Sequence, residues 1–379
     1  MIIDIEIMKA IFLTHPELLN SKITGGVQLC STELLSVIKN SLVIDVQEYH
    51  IEYTRRINDR LKIKWGLENY NMYGVKKGTP ALLNFIKQEK IEIVFINMAS
   101  AIRYAKPVKE KFGKSVQVIL LSHGNHSGDF LHLITKPLKR ENFYLRIRNK
   151  CRLGFLLSTE AEYRVKYLDG VVTLSETEKQ IENWMNAKKT LFFPRFLKPA
   201  FLNHQPDLNR IGFVARLDHP PNIQGLGILC DFFLKMNIGN LKIRLVGAPQ
   251  SDGFRIAKQY PFIDYQGELS DEALEQEAAT WSFFLNPVWW YSTGASTKLA
   301  KAISWGIPIA TTTPGRRGYS WSEGVITETN SPEEMCEMIL CSVKDINEIK
   351  RLAGETRKAA ASGPELEDLT RQLEIFCIK

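Results

Sequence analysis

The sequence predicts a doubly wound parallel α/β architecture, built twice in one chain. Three observations carry this. Short apolar segments alternate with longer helical patterns through both halves, as strands and crossover helices do. The 379 residues suffice for two domains of ordinary size, each with its own core. The alternation breaks near Phe192–Leu208, where three prolines and a turn-rich composition interrupt both periodicities. The expected organisation is one domain over 1–200, a second over 201–362 and a returning C-terminal helix over 363–379.

In the first half, strands are expected at 9–13, 41–46, 91–97, 117–122 and 170–174, with helices such as 27–39 and 79–88 between them. Ser175 heads the next helix as an N-cap, with Glu178 placed to complete a capping box. In the second half the expected strands are 210–214, 242–246, 263–266, 283–286, 307–311 and 324–327. The final segment places Leu366, Leu369, Leu373 and Phe376 on one helical face, suited to packing back on the first half. Two halves of this kind leave a cleft, and open α/β sheets take their ligands beyond the carboxyl ends of the strands. The loops that reach that region are 24–27, 122–129, 216–222, 247–251 and 293–298.

Composition excludes several classes. The apolar runs fall far short of a membrane span, and the N-terminus alternates like a strand rather than showing a basic start and an apolar signal core, so a cytoplasmic protein is expected. Six scattered cysteines form no CxxC pair and no zinc spacing, which leaves buried apolar residues or inert surface thiols. The net charge of +7 is unevenly placed. In Lys136–Arg152, Glu141 is the lone acid among basic residues, and Phe143, Ile147 and Cys151 fall on one helical side with Leu145 beside them. Such a face suits anionic lipid or an acidic substrate, or is a solvated basic helix with no partner. The rest of the chain has no basic stripe or nucleic-acid motif, so no nucleic-acid partner is expected.

The stretch TGASTKLAKAISWGIP, Thr293–Pro308, reads as a small-residue turn that opens a short helix and closes on Gly306. Helix-start N–H groups lack partners within the helix and the peptide dipoles favour negative charge there, so the turn is suited to a diphosphate. Gly294 and Ala295 let a ligand approach the main chain, Ser296 or Thr297 caps the helix, and Lys298 adds a point charge. The other reading is an ordinary capped helix between two strands. Trp289, Trp290 and Tyr291, just before the turn, are either cleft wall and core or a stacking surface for a sugar or base.

Together these loops resemble the two-domain GT-B glycosyltransferases, and in particular the retaining family four, whose members use nucleotide sugars. ITGGVQLCSTELLSVI is similar to the family's glycine loop and first helix, which makes Gly25 and Gly26 donor-facing. VILLSHGN resembles the strand and loop that deliver a histidine, which points to His123, with His126 and Asp129 close behind. A histidine there hydrogen-bonds the donor sugar or the acceptor, or merely caps a strand end. IGFVARLDHPPNIQGL, IRLVGAP, DYQGELSDEAL, FFLNPVWWYSTGASTKLAKAISWGIPIATT and TPGRRGY follow in the family's order. The resemblance makes Arg216 a phosphate ligand, sets Gly247 and the Gly267–Leu269 loop by the nucleotide, and assigns Lys298 to the donor. Gly212, Gly247 and Gly267 also have a packing explanation, as tight exits from strands.

Three departures accompany the matches. The lysine expected soon after Arg216 falls at or near Pro221, and the paired glutamates, eight positions apart, align with Thr293 and Lys301. A lysine cannot accept from two ribose hydroxyls as a carboxylate does. What the resemblance implies is a GT-B fold of two Rossmann-like domains facing a cleft: an N-terminal acceptor domain and a C-terminal donor domain. The implied activity is transfer from a nucleotide-diphosphate sugar to a glycan or lipid-linked acceptor, in polysaccharide or glycoconjugate synthesis, retaining, without metal or other cofactor. A peripheral position at an anionic membrane through 136–152 suits such an acceptor. His123, Asp129 and Thr293 are the catalytic candidates, and Lys301 stands at the donor side. The alternative is a silent relative that binds glycans or a partner subunit. Phosphorylases of the same fold fit poorly, since the chain shows no lysine-cofactor motif.

Overall fold

The structure, a computed structural model, describes residues 7–20, 26–64, 70, 72–135, 142–196, 198–289 and 293–378. The chain divides into two compact units: 1–196 with 293–295 and 365–379, and 197–292 with 296–364.

The first unit is built on a six-stranded sheet: β1 Met8–Thr14, β2 Ile44–His50, β3 Ile93–Asn97, β4 Gln117–Ser122, β5 Gly170–Thr173 and β6 Thr190–Phe192. Its order is β2-β1-β3-β4-β5-β6, and every pairing is parallel. The central strands are apolar along their length because helices cover both faces: every residue of β3 and β5 is buried. One core cluster, around Ile11, Leu13, Val94 and Leu120, fills one face. A second, around Phe12, Phe95 and Leu121, fills the other. The C-terminal helix Leu366–Cys377 belongs to that second cluster, burying Leu369, Leu373 and Cys377 beside the Gly26–Lys39 helix. Each fully buried leucine stabilises the unit by about 1.5–3 kcal/mol. Strand β6 escapes the sequence pattern, since its three residues run straight into Phe193 and Pro194 without alternation.

The second unit has β7 Asp207–Val214, β8 Lys242–Val246, β9 Ile263–Gly267, β10 Trp281–Asn286, β11 Ile309–Thr311 and β12 Thr327–Glu328, in the order β12-β11-β10-β7-β8-β9, again all parallel. Chain order reverses direction across the sheet between β7 and β10, the dinucleotide-fold arrangement. In the first sheet the reversal lies between β1 and β3. These two switch points, where consecutive crossovers leave to opposite faces, locate a crevice at the carboxyl end of each sheet. The last strand is shorter than expected, and the residues from Gly324 to Ile326 precede it as an irregular segment.

The six cysteines are free thiols, with Cys30, Cys230, Cys336 and Cys377 buried. Among the described residues no helix is long and apolar enough to cross a membrane.

Candidate functional site

At the switch point of the first sheet, β3 closes its apolar run on a polar residue, Asn97, which is 1% exposed. Its amide nitrogen donates to Thr14 Oγ1 at 2.9 Å and to Ser31 Oγ at 3.0 Å. That orientation turns Asn97 Oδ1 to His123, whose Nε2 lies 2.9 Å away. Nε2 therefore carries the ring proton and Nδ1 is left as an acceptor. Burial, with a smaller contribution from Arg195, lowers the His123 pKa to about 4, so the ring is neutral at neutral pH. A neutral His123 can accept from a hydroxyl but holds no proton to deliver from an imidazolium. The loop behind it is anchored from below: Asn125 Oδ1 accepts from Arg164 Nη2 at 2.7 Å, and Arg164 pairs with Glu182 (Nε–Oε2 2.6 Å), both fully buried.

Asp129 lies in the first turn of the helix His126–Thr135 rather than in the loop. Its carboxylate accepts from Thr293 N at 3.3 Å and from Thr293 Oγ1 at 3.0 Å. Glu178, in the helix capped by Ser175, turns Oε1 to Gly294 N at 2.7 Å. Thus the Gly294 N–H expected to face a diphosphate is held by a carboxylate, and Thr293 by another. A Cβ on Gly124 would lie 2.3 Å from Thr293 Cβ, so only glycine fits this approach. Ala295 packs against the first unit's core. Gly26 opens the Gly26–Lys39 helix, while Gly25 lies outside the described residues, as do Trp290 and Tyr291.

At the switch point of the second sheet, the loop after β7 carries Arg216 and the helix Pro220–Phe233 carries Asn222. The helix Thr297–Trp305 follows β10. Lys298, in its first turn, sets Nζ 4.9 Å from the centroid of the Phe213 ring and donates to Asn222 Oδ1 at 2.9 Å. Asn222 follows Pro221 in the first turn of its helix, so a lysine from one helix meets the start of another. Burial, then the nearby Arg317 charge, lowers the Lys298 pKa to about 7. Arg216 is exposed and forms a two-pronged pair with Asp218, Nε–Oδ1 at 2.7 Å and Nη2–Oδ2 at 2.9 Å, so its guanidinium is held by its own loop and not turned toward Lys298's partner.

Other expected residues are placed differently. Ser296 occupies the N-cap position, yet its side chain does not cap the helix; Oγ lies 3.5 Å from Asn286 Oδ1 and its carbonyl accepts from Tyr319. Thr297 is the first helical residue, and its N–H and that of Lys298 are among those a helix leaves without internal partners. Gly247 has φ of 143° and a Cβ there would meet Ala215 O at 1.8 Å, so packing alone accounts for it. Gly267 has φ of 80°, and Leu269 packs against the second unit's core instead of standing free in its loop. Lys301 pairs with Asp271, the first residue of the helix Asp271–Ala278, so a carboxylate from another helix stands at its ammonium. Trp289 donates Nε1–H to Asn330 O at 3.1 Å and packs on the core.

Sequence reasoning passed over Asn97, Asn222 and Asp271. A polar residue ending a buried strand was the available signal for Asn97. Asn222 and Asp271 had none, since each matters only through a lysine far along the chain. Among the described residues no group of three or more His, Cys, Asp or Glu is placed to hold a metal ion.

Residues 209–345 match the family described as "Glycosyl transferases group 1". No curated protein sequence matches the chain. Among solved structures, sucrose-phosphate synthase from Thermosynechococcus elongatus is similar at a TM-score of 0.63 and 13% identity, over 97% of this chain and 98% of that one. Anabaena Alr3699/HepE, solved in complex with UDP and glucose, aligns at 0.56 and 12% identity, over 97% and 99%. TarM aligns at 0.52 and 14% identity over 76% of this chain, which spans only 55% of that protein. The segment 209–345 thus matches a group 1 glycosyl transferase domain, in a chain that has the GT-B fold.

Proposed function

We propose that the chain is a glycosyltransferase that moves a sugar from a nucleoside-diphosphate sugar to an acceptor hydroxyl. The observation that carries this reading is Lys298 over Phe213 and beside Asn222, at the switch point of a sheet within the matched domain. In glycosyl transfer the bond from the anomeric carbon to the diphosphate oxygen breaks as the acceptor oxygen arrives, and charge develops on the leaving group. Lys298, the helix-start N–H groups and Arg216, once released from Asp218, are the groups suited to that charge; each well-placed donor is worth about 3 kcal/mol. His123 Nδ1 is suited to accept from a sugar hydroxyl. Thr293 is uncharged, and the carboxylates bonded to Thr293 and Gly294 are Asp129 and Glu178. Retention at the anomeric carbon and membership of family four are part of the proposal and rest on the motif order.

The acceptor proposed is a glycan or lipid-linked glycan, reached from an anionic membrane surface in the cytoplasm. The helix Phe143–Lys166 supports that surface: Phe143 (69%), Tyr144 (82%) and Ile147 (46%) are exposed, flanked by Arg146, Arg148 and Lys150. An apolar stripe between cations is suited to an interface with anionic lipid. Part of the basic segment, 136–141, lies outside the described residues.

The test is a thermal-shift and hydrolysis screen against nucleoside diphosphates and their sugar conjugates. A stabilising nucleotide sugar with slow release of its diphosphate is the expected result. No shift with any nucleotide would overturn the reading and leave a non-catalytic glycan- or partner-binding scaffold.

A further inference from the structure

A pocket of about 280 Å³ opens in the first unit at the carboxyl end of edge strand β2, between the loop that follows that strand and the start of the helix Val75–Glu89. Its size is close to the roughly 300 Å³ lower bound of small-molecule sites. Nothing in the donor machinery above uses it.

Its chemistry is specific in three respects. The first is aromatic. Tyr53 lines the pocket, held by stacking on Tyr73 (5.5 Å between centroids, 10° between planes) and by a tilted contact with His15 (4.0 Å between centroids, 34° between planes), with its hydroxyl tied to Glu17 at 2.9 Å. A ring fixed in this way offers an apolar wall at little entropic cost, as the C–H face of a sugar requires.

The second is charge. Arg55, Arg56, Lys76 and Lys77 line the pocket against two acids, Glu52 and Asp59. Glu52 lies 3.5 Å from Arg55 and 3.9 Å from Lys77, and Asp59 accepts from Thr54 at 3.1 Å. Lys76 and Lys77 also occupy the first turn of the Val75–Glu89 helix; that turn contains no acid, and the N-cap, Gly74, makes no side-chain cap. Cations at the positive end of a helix dipole are unfavourably placed unless an anion joins them.

The third is a buried donor. Tyr104 is 1% exposed and lines the same pocket, and among the described residues its hydroxyl has no hydrogen-bond partner. Gly78 admits it, because a Cβ there would lie 2.6 Å from the hydroxyl oxygen. Burial raises the Tyr104 pKa to about 12, so the phenol keeps its proton. A buried hydroxyl facing a cavity calls for a polar partner in it.

We infer that this pocket binds a phosphorylated sugar, with the pyranose against Tyr53, one of its hydroxyls on the Tyr104 phenol, and the phosphate at Lys76 and Lys77. The assignment adds a ligand site to the first unit, stands on this pocket alone and leaves the acceptor proposed above unchanged.

Binding is tested without turnover. Glucose 6-phosphate is titrated calorimetrically into the full chain with UDP at saturation, so that any donor site is filled. Expected is a saturable isotherm that K76E/K77E weakens at least tenfold and Tyr104→Phe several-fold, with glucose and inorganic phosphate each binding at least tenfold more weakly. Circular dichroism confirms that the surface double variant is folded. Absence of binding, an isotherm unchanged by both variants, phosphate alone binding as tightly, or loss of binding when UDP is added would overturn the inference. None of these outcomes depends on whether the chain transfers sugar, which the nucleotide screen decides separately.

Discussion

With Lys298 at the donor diphosphate, as proposed, donor binding should depend on pH in a direction set by the surroundings of this lysine. Its pKa in the folded chain is lowered from 10.5 to about 7, first by burial and then by Arg317. The sign follows from linkage. Between about pH 7 and 10.5 the unfolded chain holds a proton at this lysine that the folded chain does not, so unliganded stability rises with pH across that window. A diphosphate stabilises the charged form, so binding at pH 8 must take up a proton, while binding at pH 6 finds it already in place. The charged fraction is about 0.9 at pH 6 and about 0.1 at pH 8, which predicts roughly tenfold tighter binding at the lower pH, about 1.4 kcal/mol. A nucleotide sugar is the ligand to use, because its diphosphate has no proton titrating in this range. Calorimetry at pH 8 in two buffers of different ionisation enthalpy should count close to one proton taken up, and Lys298→Met should abolish both the uptake and the pH slope. Equal affinities at pH 6 and 8, or a slope that survives in Lys298→Met, would refute the placement of this ammonium at the phosphates.

Three further outcomes are expected. Arg216→Ala should lower turnover by about a hundredfold without changing the melting temperature, since the side chain is exposed and bonded only within its loop; normal turnover would show that it never reaches the leaving group. Arg164→Ala should cost about 3–5 kcal/mol in denaturant unfolding, because it strands Glu182 in the core, and R164M/E182L should recover much of that loss; a single variant as stable as the parent would remove the network from the account of how the His123 loop is held. F143E/I147E should reduce sedimentation with phosphatidylserine vesicles several-fold while leaving nucleotide binding intact, and unchanged sedimentation would exclude this face from membrane contact.

The fold was legible because its signals are local. Buried parallel strands such as β3, β4 and β5 read as continuous apolar runs, and the prolines after β6 broke the pattern close to where the second unit begins. Strand β6 and the short β12 were illegible in extent, since two or three residues carry no periodicity. The His123 loop and the turn at Thr293 were also readable, as strand-to-helix junctions. Their bonding was not: that Asp129 and Glu178 hold Thr293 and Gly294 depends on segments more than a hundred residues apart in the chain. Lys301 shows the same limit. Its chain neighbours reveal nothing of Asp271, which pairs with it from another helix.

By itself, then, the sequence determined the two doubly wound units, the parallel direction of their strands and the loops that end at the switch points, because hydrophobic periodicity and turn chemistry act over a few residues. Only the tertiary structure decided the charge state of His123 and Lys298, the pairing of Arg216, and the pocket beside β2. Those properties come from desolvation and from partners brought within a few ångströms by the crossovers, and distances of that kind are not encoded in the spacing along one chain.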